Sequence, residues 1–344
     1  MIVSIIIPVY NVAPYVEECI RSVMNQSITE GVECIIVDDC GQDNSMEIVE
    51  SILANDGYTE CEDGTPTSTL SPLTFRILHH EHNRGLSAAR NTGIYAAKGE
   101  YVYFIDSDDY IYENCISSFF SVAAIHPEAD IIQGSFYAED QACNKHLHSG
   151  VDIPTETDYI DNPGLCRKHL QRVGCLPYMQ NRLIKTSFIR DNNLLAKEGI
   201  IHEDHLWTFM AGKHIRRMAY CKTDTYFYRS NPTGIMSSSN NKKHAVSLST
   251  ICDEIFLNLP LNRWFNVELN YLLWEIHSIE KYGYEDPFVF MEYSNNRFVR
   301  NLYKNYSQTG HKYTFFKRFY KIVVYLNIFM MKSLRSLLRI NGIR

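Results

Sequence analysis

The 344-residue sequence contains ten cysteines but no CxxC pair and no metal-ligand spacing among them. That excludes a paired-cysteine metal or redox motif. With no secretory signal, the cysteines read as reduced thiols of a cytoplasmic protein. No uninterrupted apolar run of about 18 residues stands out, so no segment reads as a clear membrane span. The apolar opening MIVSIIIPVYN has no basic n-region and no small-residue cleavage site, and Pro8 breaks it. It reads as a first core strand rather than a signal peptide. The formal net charge of −7 argues against a dedicated nucleic-acid binder. Acidic residues are missing from His311 onward, where Lys312, Lys317, Arg318, Lys321, Lys332, Arg335, Arg339 and Arg344 follow one another. A basic tail is thus attached to an acidic body. Internal repeats are absent as well.

What is present is an alternation of strands and helices. Residues 3–7 are a β-branched run interrupted only by Ser4, typical of a strand buried on both faces. Val16, Cys19, Ile20, Val23 and Met24 recur at helical spacing. ECIIVDD predicts a second buried strand, residues 45–53 a helix, and FRILHH a third strand. Residues 86–97 predict a small-residue helix closed by Gly99, and YVYFI a fourth strand. The stretch between residues 55 and 72, rich in Gly, Thr, Ser and Pro, reads as a loop. This order predicts βαβ units and a mostly parallel sheet. Beyond residue 132 the rhythm loosens through NRLIKTSFI, a helix opening at HEDHLWTFMAG and a strand-like AYCKTDTYFYR. SNPTGIMSSSNNKK reads as a hinge or mobile loop, and from His244 the pattern turns helical.

Two acidic clusters fall at predicted strand ends: Asp38-Asp39, and Asp106-Ser107-Asp108-Asp109. In open parallel sheets, ligands bind outside the carboxyl ends of the strands. Residues two apart in an extended segment point to one side, so Asp106 and Asp108 can face one spot. Carboxylates that close raise each other's pKa unless a cation sits between them. A hard divalent ion and the phosphates of a nucleotide resolve the repulsion. A solvated acidic turn or a helix N-cap is the plainer account of the same residues.

SIIIPVYN, IIVDDCGQDNS and HNRGLSAARNTGIYAAKGEYVYFIDSDD, in that order and spacing, resemble the inverting family 2 glycosyltransferases, in particular those of bacterial cell-surface polysaccharide synthesis. The resemblance covers residues 1–235 and is densest in 1–115. It implies an α/β GT-A nucleotide-diphospho-sugar transferase fold, Rossmann-like, with helices flanking the sheet. A nucleotide-sugar-binding half (1–115), an acceptor and catalytic-base half (116–235) and a helical C-terminal region (236–344) are expected. One departure is Cys40-Gly41-Gln42-Asp43, where the family has a Gly-Ser-Thr-Asp-like turn.

The resemblance also implies roles. The nucleoside of a UDP-sugar lies against Pro8, Val9 and Tyr10, and Asn11 serves either the turn or the ligand. Asp39 accepts the uracil N3–H, while Asp38 braces the loop. Asn83 and Arg84 flank the base and phosphates, and Gly85 lets the backbone turn closely. Arg90 either reaches the same pocket or is solvated on its helix. Asp108 is the first metal ligand; Asp106 is the second ligand or a sugar-ribose contact; Ser107 between them belongs to the donor-binding residues; Asp109 caps the following segment. Mn²⁺ and Mg²⁺ both suit such ligands. The Glu-Asp pair of GIIHEDHLW supplies Asp204 as general base, with Glu203 orienting it or holding an acceptor hydroxyl. Glu and Asp also simply suit a helix start. His202 and His205 flank the pair; a zinc site is conceivable, but packing or hydrogen bonding is the commoner use. In FYRSNPTGIMS, Arg229 matches a residue that closes over the diphosphate. Gly234 stands where the family has a small hydroxyl residue, which Thr233 or Ser237 would replace.

The expected reaction is transfer of a hexose or N-acetylhexosamine from a UDP-sugar to a glycan or lipid-linked glycan hydroxyl. KRFYKIVVYLNIFMMKSLRSLLRI is read either as a packed last helix or as an interfacial helix at the inner leaflet. A sugar-nucleotide nucleotidyltransferase is the alternative, weakened because IIIPVYNVAPY has neither Gly nor Lys for a triphosphate. A non-catalytic protein on the same fold is the other alternative.

Overall fold

The computed structural model describes residues 2–60, 66–67, 71–140, 145–148, 158–171, 177–235 and 241–258. The chain divides into two compact units. The first comprises Met1–Leu170, Cys175–Gly199 and Met210–Ser238; the second comprises Gln171–Gly174, Ile200–Phe209 and Ser239–Arg344. The basic tail and the helical segments expected beyond residue 258 lie outside the described residues.

In chain order the elements begin with β1 (Val3–Val9), α1 (Val16–Met24), β2 (Val32–Asp38), α2 (Ser45–Asn55), β3 (Thr59–Glu60), β4 (Pro66–Thr67) and β5 (Thr74–His79). Then come α3 (Leu86–Ala96), β6 (Tyr101–Phe104), β7 (Tyr110–Ile111), α4 (Cys115–Ile125), β8 (Ile131–Asp140), β9 (Lys145–His148), β10 (Tyr159–Ile160) and α5 (Pro163–Leu170). The series ends with β11 (Arg182–Lys185), α6 (Thr186–Asp191), α7 (Glu203–His214), β12 (Met218–Tyr228) and α8 (Asn241–Asn258).

The main sheet runs β10-β12-β8-β11-β6-β1-β2-β5. β1 lies between β2 and β6 and is parallel to both, and every residue of β1 is buried, Ser4 included, whose hydroxyl donates to Glu33 of β2. β11 runs antiparallel to both β6 and β8, and β12 is parallel to β8. β1, β2, β6, β8 and β12 therefore all end at the same edge. Two register shifts between Cys221 and Tyr226 break the alternation of β12. The segment expected as a loop holds a small pairing, with Thr59 opposite Thr67 and Glu60 opposite Pro66. Helix α8 begins at Asn241, inside the stretch expected to be a hinge.

Helices α1 and α3 cover the centre of the first unit. On α1, Val16, Cys19, Ile20 and Val23 are buried at helical spacing, and Glu17 and Glu18 occupy the first turn, where the helix dipole favours acids. Helix α3 buries mostly small residues, Ser87, Ala88, Ala89 and Gly93 among them, so it can lie close to β1. A Cβ on Gly93 would stand 2.3 Å from Ile6 Cγ2, in a core with no slack. Alanine there gains about 1 kcal/mol of helix propensity but incurs overpacking of about 1–3 kcal/mol. Gly93→Ala should therefore be net destabilising in a urea titration. A midpoint at or above the parent's would mean that Ile6 yields without cost.

Candidate donor site at the strand ends

At the end of β1, Pro8 is buried and Val9 is 1% exposed, whereas Tyr10 is 45% exposed. Of the three, only the Tyr10 ring is presented at the sheet edge. Asn11 has a positive φ of 52°, and its Oδ1 accepts the Gln42 N–H at 2.7 Å. Of the two roles open for Asn11, the turn is therefore filled.

Asp39 is buried, and both its oxygens are engaged. Oδ1 meets His80 Nδ1 at 2.6 Å and accepts the Arg84 N–H at 2.8 Å. Oδ2 accepts from Asn83 Nδ2 at 2.9 Å and from the Gly85 N–H at 2.8 Å. A carboxylate has about four lone-pair positions, so this one is spent on the turn at 83–85. Gly85 holds φ at +88°, a backbone conformation that suits glycine, and α3 starts directly after it. Asp38 braces the loop, with Oδ1 accepting the Cys40 N–H and Oδ2 meeting His79. The exposed guanidinium of Arg84 pairs with Glu198 at 3.3 Å.

Arg90 is not solvated. Its side chain is 3% exposed, and Nη2 donates to Asp106 Oδ1 at 2.6 Å. Helix α3 supplies the cation because Gly93 and the alanines let it approach the strands. Asp106 is therefore already neutralised by a buried partner. Breaking one side of such a pair typically costs about 3–5 kcal/mol.

The acidic turn follows β6. Ser107 and Asp109 are buried, and Asp106 and Asp108 are partly exposed. Asp108 Oδ2 accepts from Asn231 Nδ2 at 2.9 Å. Asn231 Oδ1 in turn accepts from the N–H and hydroxyl of Thr233, which fixes the orientation of the amide. Burial, and next the charge of Asp106, push the Asp108 carboxyl above its ordinary range. A nearby positive charge would relieve that cost. Mg²⁺ and Mn²⁺ commonly take only one or two carboxylates, with waters and phosphate oxygens completing the shell. Asp108 and Asp106 fit such an ion. Among the described residues, no group of three or more His, Cys, Asp or Glu is arranged to hold a metal.

Across from the turn, the Arg229 guanidinium lies 5.3 Å from the Tyr15 ring and 5.4 Å from the Tyr110 ring, and it pairs with Glu18. Tyr110 stacks on Phe227 at 4.6 Å. Thr233 lies on the turn closed by the Gly234 N–H to Asn231 carbonyl bond; Ser237 is outside the described residues. The residues that sequence reasoning missed are Glu18, Tyr15, Tyr110, Tyr226 and Asn231. Only Asn231 carried a signal, as an amide in the segment already read as closing over the donor.

Glu203 and Asp204 open α7 and belong to the second unit through Phe209. Glu203 is 4% exposed, Asp204 is partly exposed, and Asp204 Oδ1 accepts the His205 N–H at 3.0 Å. Within that unit Ser247 Oγ accepts the Ile201 N–H, and His202 Nε2 meets His244 Nδ1 at 2.9 Å. Burial, then His205 and His244, push His202 down to about 3, so it is neutral at ordinary pH. His202 thus serves hydrogen bonding and packing.

The chain is 30% identical over 241 residues to the uncharacterized glycosyltransferase EpsJ of Bacillus subtilis, a match covering 68% of this chain and 62% of that protein. It therefore spans less than two thirds of that relative's length. Among solved structures, S. aureus TarS 1–349 in complex with UDP-GlcNAc superposes with a TM-score of 0.63 at 20% identity, covering 98% of this chain and 92% of that one. A mannosyltransferase from Pyrobaculum calidifontis, in complex with GDP-Man and Mn²⁺, gives a TM-score of 0.53 at 14% identity, covering 96% and 86%. These likenesses establish the GT-A fold. The sequence model of glycosyl transferase family 2 matches residues 4–189, more than half of the chain, and the protein belongs to that family.

Proposed function

We propose that this protein is a metal-dependent inverting glycosyltransferase. It would move a hexose or N-acetylhexosamine from a UDP-sugar to a hydroxyl of a glycan or lipid-linked glycan in cell-surface polysaccharide synthesis. The observation that carries the reading is the acidic turn. Asp108 is held at the sheet edge with its carboxyl pushed up by burial and by Asp106, and Arg229 and Asn231 come from one segment beside it. The UDP-GlcNAc bound to TarS, on the same fold, supports a UDP-sugar donor.

Asp108, with Asp106 as second donor, would hold Mn²⁺ or Mg²⁺. When bound, such an ion supplies positive charge against the charge that builds on the leaving nucleoside diphosphate. Tyr10 offers its ring to the base. Pro8, Val9, Asn11, Asp39 and Asn83 shape the pocket through the backbone and the turn at 83–85. Asp39 would contact uracil directly only by giving up one of its four bonds. Arg84 and Arg229 would face the phosphates once released from Glu198 and Glu18, while Arg90 holds Asp106 and the buried Ser107 would line the donor pocket through its backbone. Asp204 would take the proton from the attacking hydroxyl in a single displacement, and Glu203 would orient it.

No described helix is long and apolar enough to cross a membrane. The basic tail would draw the enzyme to anionic lipid at the inner face of the membrane, where a lipid-linked acceptor is reached.

The test is a panel of UDP-sugars with Mn²⁺, read out as released UDP. Release that depends on one donor and rises with a glycan acceptor is the expected result. Pyrophosphate formation from UTP and a sugar 1-phosphate would instead make it a nucleotidyltransferase. Turnover of GDP-sugars alone would overturn the choice of UDP.

A further inference from the structure

The acidic turn carries one carboxylate that the reading above leaves without a task. Asp109 is 1% exposed, and both its oxygens are bound by the end of β12. Oδ2 accepts the Tyr226 hydroxyl proton at 2.6 Å, and Oδ1 accepts the Arg229 backbone N–H at 2.8 Å. The Tyr226 oxygen also accepts the Asp106 N–H at 3.2 Å. The Asp109 N–H returns to the Asp106 carbonyl at 2.9 Å. These bonds close a ring around Ser107 and Asp108, from the Asp106 N–H through the Tyr226 hydroxyl to the Asp109 carboxylate and back.

A carboxylate buried this deeply is costly unless its lone pairs are filled, and a core residue of this shape would hold the turn more cheaply if stability were all that mattered. What the ring adds is direction. It fixes the backbone on both sides of Asp108, and so the line along which that side chain leaves the turn. The same carboxylate also grips the first residue of the segment whose Asn231 reaches Asp108.

We propose that Asp109 and Tyr226 are positioning residues for the donor: they aim Asp108 and tie the Arg229–Asn231 segment to it, so that both meet the diphosphate as one piece. This rests on the reading of Asp108 as the residue that holds the ion of a nucleotide donor.

The test is titration of UDP into the full chain with and without Mn²⁺, for the parent, Tyr226→Phe, Asp109→Asn and Asp108→Ala. The quantity of interest is the gain in UDP affinity that Mn²⁺ brings. Tyr226→Phe should keep the metal-free affinity and lose about tenfold or more of the Mn²⁺-dependent gain, as expected when the bond to the charged Asp109 and the bond from the Asp106 N–H are both lost. A parental gain in Tyr226→Phe would overturn the proposal. So would an equal fall in both affinities, which is what a merely structural role produces. If Tyr226→Phe does not fold, Asp109→Asn carries the same comparison, because its amide faces the Arg229 N–H while an acceptor for Tyr226 remains. If Asp108→Ala keeps the gain, the donor-site reading itself fails. If Asp108→Ala loses it and Tyr226→Phe does not, only the positioning role fails.

Discussion

Asp204→Asn should bind UDP as the parent does and transfer sugar about 10²–10⁴ times more slowly, the usual worth of a general base. The substitution keeps the shape of the side chain and keeps an oxygen for the His205 N–H that Asp204 now receives at 3.0 Å. The start of α7 should therefore be undisturbed. What the proposed mechanism would lose is the carboxylate that takes the proton from the acceptor hydroxyl. His202 is a poor replacement, because burial pushes it down to about 3, which makes it a weak base, and it is already bonded to His244. Initial rates of UDP release at saturating donor, with and without acceptor, measure the effect. Parental rates in Asp204→Asn would put the base elsewhere.

Asp108→Ala should abolish the Mn²⁺-dependent part of UDP binding while leaving the chain folded. The other carboxylate at the edge, Asp106, is neutralised by Arg90 at 2.6 Å and cannot hold a cation alone with comparable strength. Asn231 loses one partner but keeps both bonds from Thr233. Removing Asp108 also relieves its repulsion with Asp106, one of the causes that raise its pKa. The thermal midpoint should accordingly hold steady or rise as donor binding is lost. Calorimetric titration of UDP in Mn²⁺ decides the matter: unchanged affinity would remove Asp108 from the metal site.

The central strands were legible because β1, β2 and β6 are buried on both faces and so are mostly apolar, the buried exceptions Ser4 and Glu33 bonding each other. β8 and β12 were less so. They mix buried aromatics with polar residues, and the register shifts in β12 break the alternation that period-two reasoning needs. Two-residue strands such as β7 and β10 leave no periodic trace at all. Within the site, the spacing of Asp106 and Asp108 suggested a shared face of an extended segment, but residues 106–109 form a turn closed by the Asp109 N–H to Asp106 carbonyl bond, and the two carboxylates bond to Arg90 and Asn231 respectively. The surroundings of Arg90, Asp39 and Asp109 did not follow from local sequence. An arginine one turn into a helix is usually solvated; this one is buried because its helix packs by small residues onto β1, beside the strand that leads into its partner Asp106. The bonds of Asp39 come from the segment 80–85, and those of Asp109 from a strand far along the chain. Local pattern carries no information about either.

The pairing of Asp109 with Tyr226 and Arg229 joins residues 117 and 120 positions apart. The acidic turn thus leaves the ribosome long before the strand that satisfies it. Without β12, the turn keeps the Arg90–Asp106 pair and its own Asp109 N–H to Asp106 carbonyl bond but lacks the groups that fill the Asp109 carboxylate. A contact of such sequence separation is closed late, after the local βαβ units have formed. The ring that directs Asp108 is therefore complete only once β12 is in place beside β8, although its acidic residues are made well before that strand.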